Sequence, residues 1–120
     1  MGDGRMRRVD EAIRQVIGDA VAAELKDPRV GFVTVTDVRT STDLRHARVY
    51  VSVLGDRAEP STNAQREASL DGLRSAHGFL QGRVAAELRL KRTPKLEFFY
   101  DDTTDRALRV DALIDEIGRS

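Results

Sequence analysis

Between Phe79 and Lys95 stand five cations, Arg83, Arg89, Lys91, Arg92 and Lys95, against the single acid Glu87. Guanidinium and ammonium groups gathered in this way suit the holding of phosphate oxygens by charge-assisted hydrogen bonds. For any one of them, ordinary surface hydration is the simpler reading. As a cluster they read as an RNA contact. Arg5, Arg7 and Arg8 form a smaller basic group at the start of a helix, where the helix dipole prefers anions. Arg45, Arg48 and Arg74 could extend the surface. Other chemistry is poorly supplied. There is no Cys, and of the two histidines, His46 and His77, neither sits in a metal-ligand spacing such as HExxH. No Walker-type loop occurs and no nucleophile–base pair can be assembled. Asp101, Asp102 and Asp105 are a carboxylate cluster that could hold a divalent cation for a hydrolase. Acids at a helix start are ordinarily capping and dipole residues. No catalytic residue, metal or cofactor is therefore expected.

The 120 residues suffice for one domain, residues 1–120, with a modest core. At 40% hydrophobic and 33% charged residues the chain is globular in composition. Without Cys, disulfides are excluded. No apolar run approaches bilayer length and the first residues lack a hydrophobic signal region, so a cytoplasmic protein with no membrane partner is expected. Lys plus Arg and Asp plus Glu number 20 each, so the net charge is zero. That total hides a dipolar chain. The stretch from Leu96 to Ser120 carries seven acids against three arginines, the opposite of the basic stretch before it. A protein-interaction domain docking through this asymmetry is the rival to an RNA-binding one.

The elements that must position these residues follow from periodicity. Residues 1–4 and 119–120 are expected to fray. Val9, Ile13, Val16, Ile17, Ala20, Val21 and Leu25 make the apolar stripe of a first helix, ended by Asp27-Pro28. Phe32 to Thr36 is β-branched and extended, Thr40 to Asp43 is a turn, and Ala47, Val49, Val51 and Val53 alternate with Arg48, Tyr50 and Ser52. An antiparallel hairpin follows. Gly55 to Asn63 is a loop, and Thr62 with Gln65 has the form of a capping box opening a second helix. That helix runs to a break at Ala76-His77-Gly78, and a third covers about Phe79 to Leu90. Pro94 closes it, and Leu96, Phe98 and Tyr100 alternate in a third strand from Lys95 to Asp101. Phe98 is expected in the core and Phe99 exposed. Val110, Leu113, Ile114 and Ile117 mark a short final helix. The order α-β-β-α-α-β, with that extra helix, implies an α+β domain with a three-stranded sheet covered by helices on one face.

With these particular residues the order resembles the ribosome-binding factor A family of bacterial ribosome-assembly factors. The resemblance spans essentially the whole chain. It rests on Arg5-Met6-Arg7-Arg8-Val9, on Asp27-Pro28-Arg29-Val30 with the following Val33-Thr34-Val35-Thr36, and on Leu44 to Val53. Its most telling block is Leu73 to Asp101, with Arg89-Leu90-Lys91-Arg92-Thr93-Pro94-Lys95-Leu96 and Tyr100-Asp101-Asp102. The resemblance implies a KH-like fold of type II. A KH module normally clamps nucleic-acid backbone with a GXXG loop between two helices. This family has an Ala-x-Gly kink there, and Ala76-His77-Gly78 matches it. From spacing alone, the same residues read as a helix tolerating one Gly. With the kink, Gly78 is expected to free the backbone, bare amides at the third helix would face phosphate, and His77 could stack on a base or bond a phosphate oxygen. The resemblance further implies binding to the 30S subunit and 16S rRNA, a part in late small-subunit maturation including 5′-end processing, and growth in the cold. Two features limit what carries over from the family: the chain is neutral overall, so its electrostatic footprint must be local, and it ends soon after the last helix where some relatives carry longer tails. Nothing in the sequence calls for more than a monomer.

Overall fold

A computed structural model of the chain describes residues 2–54, 61–89 and 91–102. Among the described residues three helices and three strands follow in the expected order: α1 (Gly2–Ala23), β1 (Phe32–Thr40), β2 (His46–Leu54), α2 (Asn63–Ser75), α3 (His77–Leu88) and β3 (Lys95–Tyr100). The proposed final helix, the Asp105 carboxylate, Leu90 and residues 55–60 of the long loop lie outside the described residues.

The sheet has the order β1-β2-β3. β1 and β2 form the expected antiparallel hairpin, with Val35 opposite Val51 and Thr40 opposite Ala47. β3 joins β2 in parallel, with His46 opposite Lys95 and Val49 opposite Phe98. A parallel neighbour needs a crossover, and α2 with α3 supplies it. The hairpin is longer than expected. Its first strand does not stop at Thr36 but bulges there and continues to Thr40. The bulge lets both Val35 and Val38 face the core, although they are three positions apart and strict alternation would turn Val38 outward.

One face of the sheet is covered. Ala47, Val49, Val51, Leu96 and Phe98 meet Ile13 and Ile17 of α1, Leu70 and Leu73 of α2, and Leu80 and Val84 of α3 in a single buried cluster. That places helices on one face, as the patterning implied. Boundaries shift slightly. α1 begins at Gly2, inside the stretch expected to fray, and ends at Ala23, where the amides of Glu24 and Leu25 both bond to Ala20 O. The α2 start is as read: Thr62 accepts from the Gln65 amide at 3.1 Å and Gln65 Oε1 accepts from the Thr62 amide at 2.8 Å. Among the described helical glycines, Gly72 is the one where a side chain has no room. A Cβ there would stand 2.5 Å from Val30 Cγ2, so α2 lies tight against the segment entering β1.

Candidate nucleic-acid interface

The break between α2 and α3 is one residue wide. Ala76 (φ −88°, ψ 10°) ends one helix and begins the next. Its N–H is shared between Gly72 O and Leu73 O at 3.1 Å each, and its carbonyl accepts from the Leu80 amide at 3.0 Å. No side chain caps the first turn of α3, so the amides that open this helix are available to an acceptor from outside. Gly78 does not provide the bend. Its φ is not positive, and an added Cβ would meet nothing within 4 Å. The expectation that Gly78 frees the backbone is therefore corrected. The kink belongs to Ala76, and Gly78 leaves a bare exposed spot at the helix start. Phe79 beside it is 45% exposed. His77 is half-buried and its Nε2 has no partner. It lines a hollow of about 290 Å³ with Arg74, Phe98 and Phe99.

The expected cations fall into separate places. Arg74, in the last turn of α2, donates from Nη2 to Phe98 O at 3.0 Å, so it ties that helix to the edge strand. Arg83 points the other way, to Glu24 Oε1 at 3.1 Å beyond the end of α1, with Glu87 at 3.9 Å. Both are thus engaged within the chain. Arg89, Lys91, Arg92 and Lys95 are exposed and make no ion pair among the described residues. Arg89 stops α3 in the left-handed region (φ 49°). Gln81, which the sequence did not single out, positions the segment after it. Its Nε2 donates to Pro94 O at 2.6 Å and its Oε1 accepts from the Leu96 amide at 3.1 Å.

A second basic group gathers at the end of the sheet where β3 begins. The Lys95 amide donates to Arg45 O at 2.8 Å, which sets Arg45 and Lys95 side by side. The Thr40 amide donates to Asp10 Oδ1 at 2.9 Å, which brings the N-terminal turns of α1, with exposed Arg7 and Arg8, to the same end. Arg5 also lies in α1, and its side chain is outside the described residues. The tight turn presenting Arg45 is held by Asp43, which accepts from the Ser41 hydroxyl at 2.6 Å and the Arg45 amide at 3.0 Å. These bonds, the Ser41 one foremost, hold the Asp43 carboxyl below its usual range. Leu44 sits there at φ 59°, a region a branched side chain enters only under constraint.

The acidic cluster takes a structural part where it is described. Asp101 accepts from the Thr36 hydroxyl, and its amide extends the ladder to Val51 O at 2.7 Å. Among the described residues no three metal-ligating side chains converge.

Comparison with known proteins bears on this arrangement directly. A profile of the family described as ribosome-binding factor A matches residues 5–114. The chain belongs to the ribosome-binding factor A family. A ribosome-binding factor A of Halorhodospira halophila is 46% identical over 114 residues, covering 95% of this chain and 86% of that one. The crystal structure of ribosome-binding factor A from Thermus thermophilus superposes with a TM-score of 0.66 at 27% identity, over 79% of this chain and 93% of that one. A Thermus thermophilus ribosome-binding factor A fitted as a homology model into the cryo-EM map of a 30S complex gives a TM-score of 0.58 at 28% identity, over 78% and 91% of the two chains. The fold is thus the α+β one that the element order implied and is consistent with the KH-like fold that the resemblance implied, and the family is one of binding factors rather than a class of enzymes. Among the described residues, no helix is long and apolar enough to cross a membrane.

Proposed function

We propose that this chain binds free or immature 30S subunits and assists late maturation of 16S rRNA, including processing near its 5′ end and assembly in the cold. The observation that carries the reading is a whole-chain relationship to a family one of whose members has been fitted into a 30S complex. The exposed cations at the α3–β3 junction supply the chemistry. Arg89, Lys91, Arg92 and Lys95 carry charge that nothing in the described chain neutralises, as phosphate contacts require. Arg45, Arg7 and Arg8 continue that surface across the end of the sheet. The open amides of α3 beside Gly78 and His77 are a second phosphate contact, reached closely because Gly78 has no side chain. Such contacts position a protein without reading sequence. No bond is made or broken. The factor acts as a monomer in the cytoplasm, where ribosomes mature, by stabilising the rRNA conformation it binds and shifting the population toward it.

The test is co-sedimentation of the purified protein with 30S and 50S subunits across a salt series. Selective 30S binding that weakens with salt supports the proposal. Absence of 30S binding at low salt removes it and leaves a protein partner as the alternative. The double variant Arg89→Glu, Arg92→Glu is expected to lose most of the affinity while its unfolding transition stays unchanged. Unaltered affinity would take this group out of the interface.

A further inference from the structure

The face of the sheet turned away from the helices is not a plain hydrated surface. Tyr50 and Phe99 lie directly opposite each other in β2 and β3, and their rings pair at 5.8 Å between centroids, tilted by 32°. Phe99 keeps 38% of its surface exposed. An open hollow of about 540 Å³ surrounds the pair, bounded on one side by Asp37, Arg39 and Arg48 and at the end of β3 by Asp101 and Asp102. A second hollow of about 480 Å³ adjoins it and shares those two arginines. Its lining is otherwise Thr40, Ser41, His46 and Glu97.

The arginines are placed at a cost. Arg39 and Arg48 face each other across the β1–β2 ladder, and like charges directly opposite destabilise a sheet. Arg39 is partly offset by Asp37 at 3.0 Å. Arg48 makes no ion pair among the described residues, because its other cross-strand neighbour, Glu97, turns to His46 Nδ1 at 3.4 Å. Asp37 and Glu97 share this face but are engaged by Arg39 and His46, so Arg48 beside the aromatic pair has a definite complement. It fits a planar base over the rings and an anionic phosphate toward the arginines.

We propose that this open face holds one unpaired nucleotide of single-stranded RNA, its base stacked on the Phe99–Tyr50 pair and its phosphate held by Arg48 and Arg39. The inference rests on the reading of this chain as an rRNA-binding factor and adds a second contact on the sheet face turned away from the helices, with Phe99 at the edge it shares with the His77 hollow. Stacking suits any base, and the phosphate is placed at Arg48 and Arg39, away from Asp101. Duplex RNA is excluded, because its bases are stacked on one another and offer no free face.

The experiment is an NMR titration of the purified protein with a short single-stranded oligoribonucleotide, followed at the Tyr50 and Phe99 rings, with the same titration using duplex RNA. Ring shifts with the single strand alone are expected. Phe99→Thr, which keeps a β-branched residue in the strand, and Arg48→Glu are each expected to weaken the single strand about tenfold, the scale of one lost stack or phosphate contact, while Phe99→Tyr retains it. Shifts confined to the α2–α3 junction, equal ring shifts with duplex, or full affinity in Phe99→Thr would overturn the proposal. Full affinity in Arg48→Glu would overturn it as well. Any of these would leave 30S co-sedimentation, and with it the maturation-factor reading, intact. Loss of 30S binding by the unaltered protein would instead strike that reading itself.

Discussion

Phe98 and Phe99 are neighbours in β3, yet one is 3% exposed and the other 38%. Phe98 stands opposite Val49 on the face sealed by three helices, while Phe99 stands opposite Tyr50 on the face that no described element covers. The same contrast runs along β2, where Ala47, Val49 and Val51 are fully buried and Arg48 and Tyr50 alternate with them on the other side. One face carries the stability of the domain. The other carries side chains whose burial contributes little, and so it is free to hold charge and aromatic surface for a partner. A strand with period two separates these two tasks within a single segment of chain.

The comparison is sharpest in the unfolding free energies of the two phenylalanines. Phe98→Ala is expected to cost about 3–5 kcal/mol, the usual penalty for emptying an aromatic site in a core. Phe99→Ala is expected to cost about 1 kcal/mol, the worth of its pairing with Tyr50. Urea unfolding measures both, and equal losses would mean that the open face is a second core. A smaller contrast separates two glycines. Gly72→Ala is expected to destabilise by about 1–2 kcal/mol, because overpacking against Val30 outweighs the helix preference of Ala. Gly78→Ala is expected to stabilise by about 0.5–1 kcal/mol, since the added methyl meets open space and Gly is a poor helix former. A stabilised Gly78→Ala protein that binds 30S less well would show that the bare spot at Gly78 serves the partner rather than the fold.

The smallest effect is a pH dependence. Asp27 holds the turn that seats Val30 under Gly72. Arg29 bonds its carboxylate through both side chain and amide, and its pKa is lowered from 3.8 to about 2. A carboxyl whose folded value lies below its unfolded one contributes stability above the unfolded value and loses it as the pH falls through the folded one. Stability is therefore expected to decline between about pH 4 and pH 2, and Asp27→Asn should flatten that part of the acid-unfolding curve. An identical slope in the variant would place the acid sensitivity elsewhere.

Much of this was legible beforehand because it depends on local periods. The Val–Arg–Val–Tyr alternation of β2, the Thr62–Gln65 capping box and the apolar stripe of α1 each state a local conformation through side-chain spacing. The candidate site was less legible. Arg74, Arg83 and Arg92 look alike in the sequence, but Arg74 is spent on Phe98 O, Arg83 on Glu24, and Arg92 on nothing in the described chain. Arg39 was missed because Asp37 and Arg39 mask the continuation of β1. Only the bulge at Thr36 restores the strand and sets Arg39 opposite Arg48. The break at Ala76-His77-Gly78 was legible, but the bend lies at Ala76 and not at Gly78.

The amino-acid sequence by itself determined the elements, their order and which face of each is apolar, because helix and strand periods are written in neighbouring residues. It also determined the family, which a whole-chain pattern carries. Only the tertiary structure decided which cations are neutralised at home and which remain for a partner. It also decided that Tyr50 and Phe99 meet on the open face, and that α2 must press a bare glycine onto Val30. The reason is physical: ion pairs, cross-strand neighbours and close backbone approaches join residues far apart in the chain, and no local period encodes them.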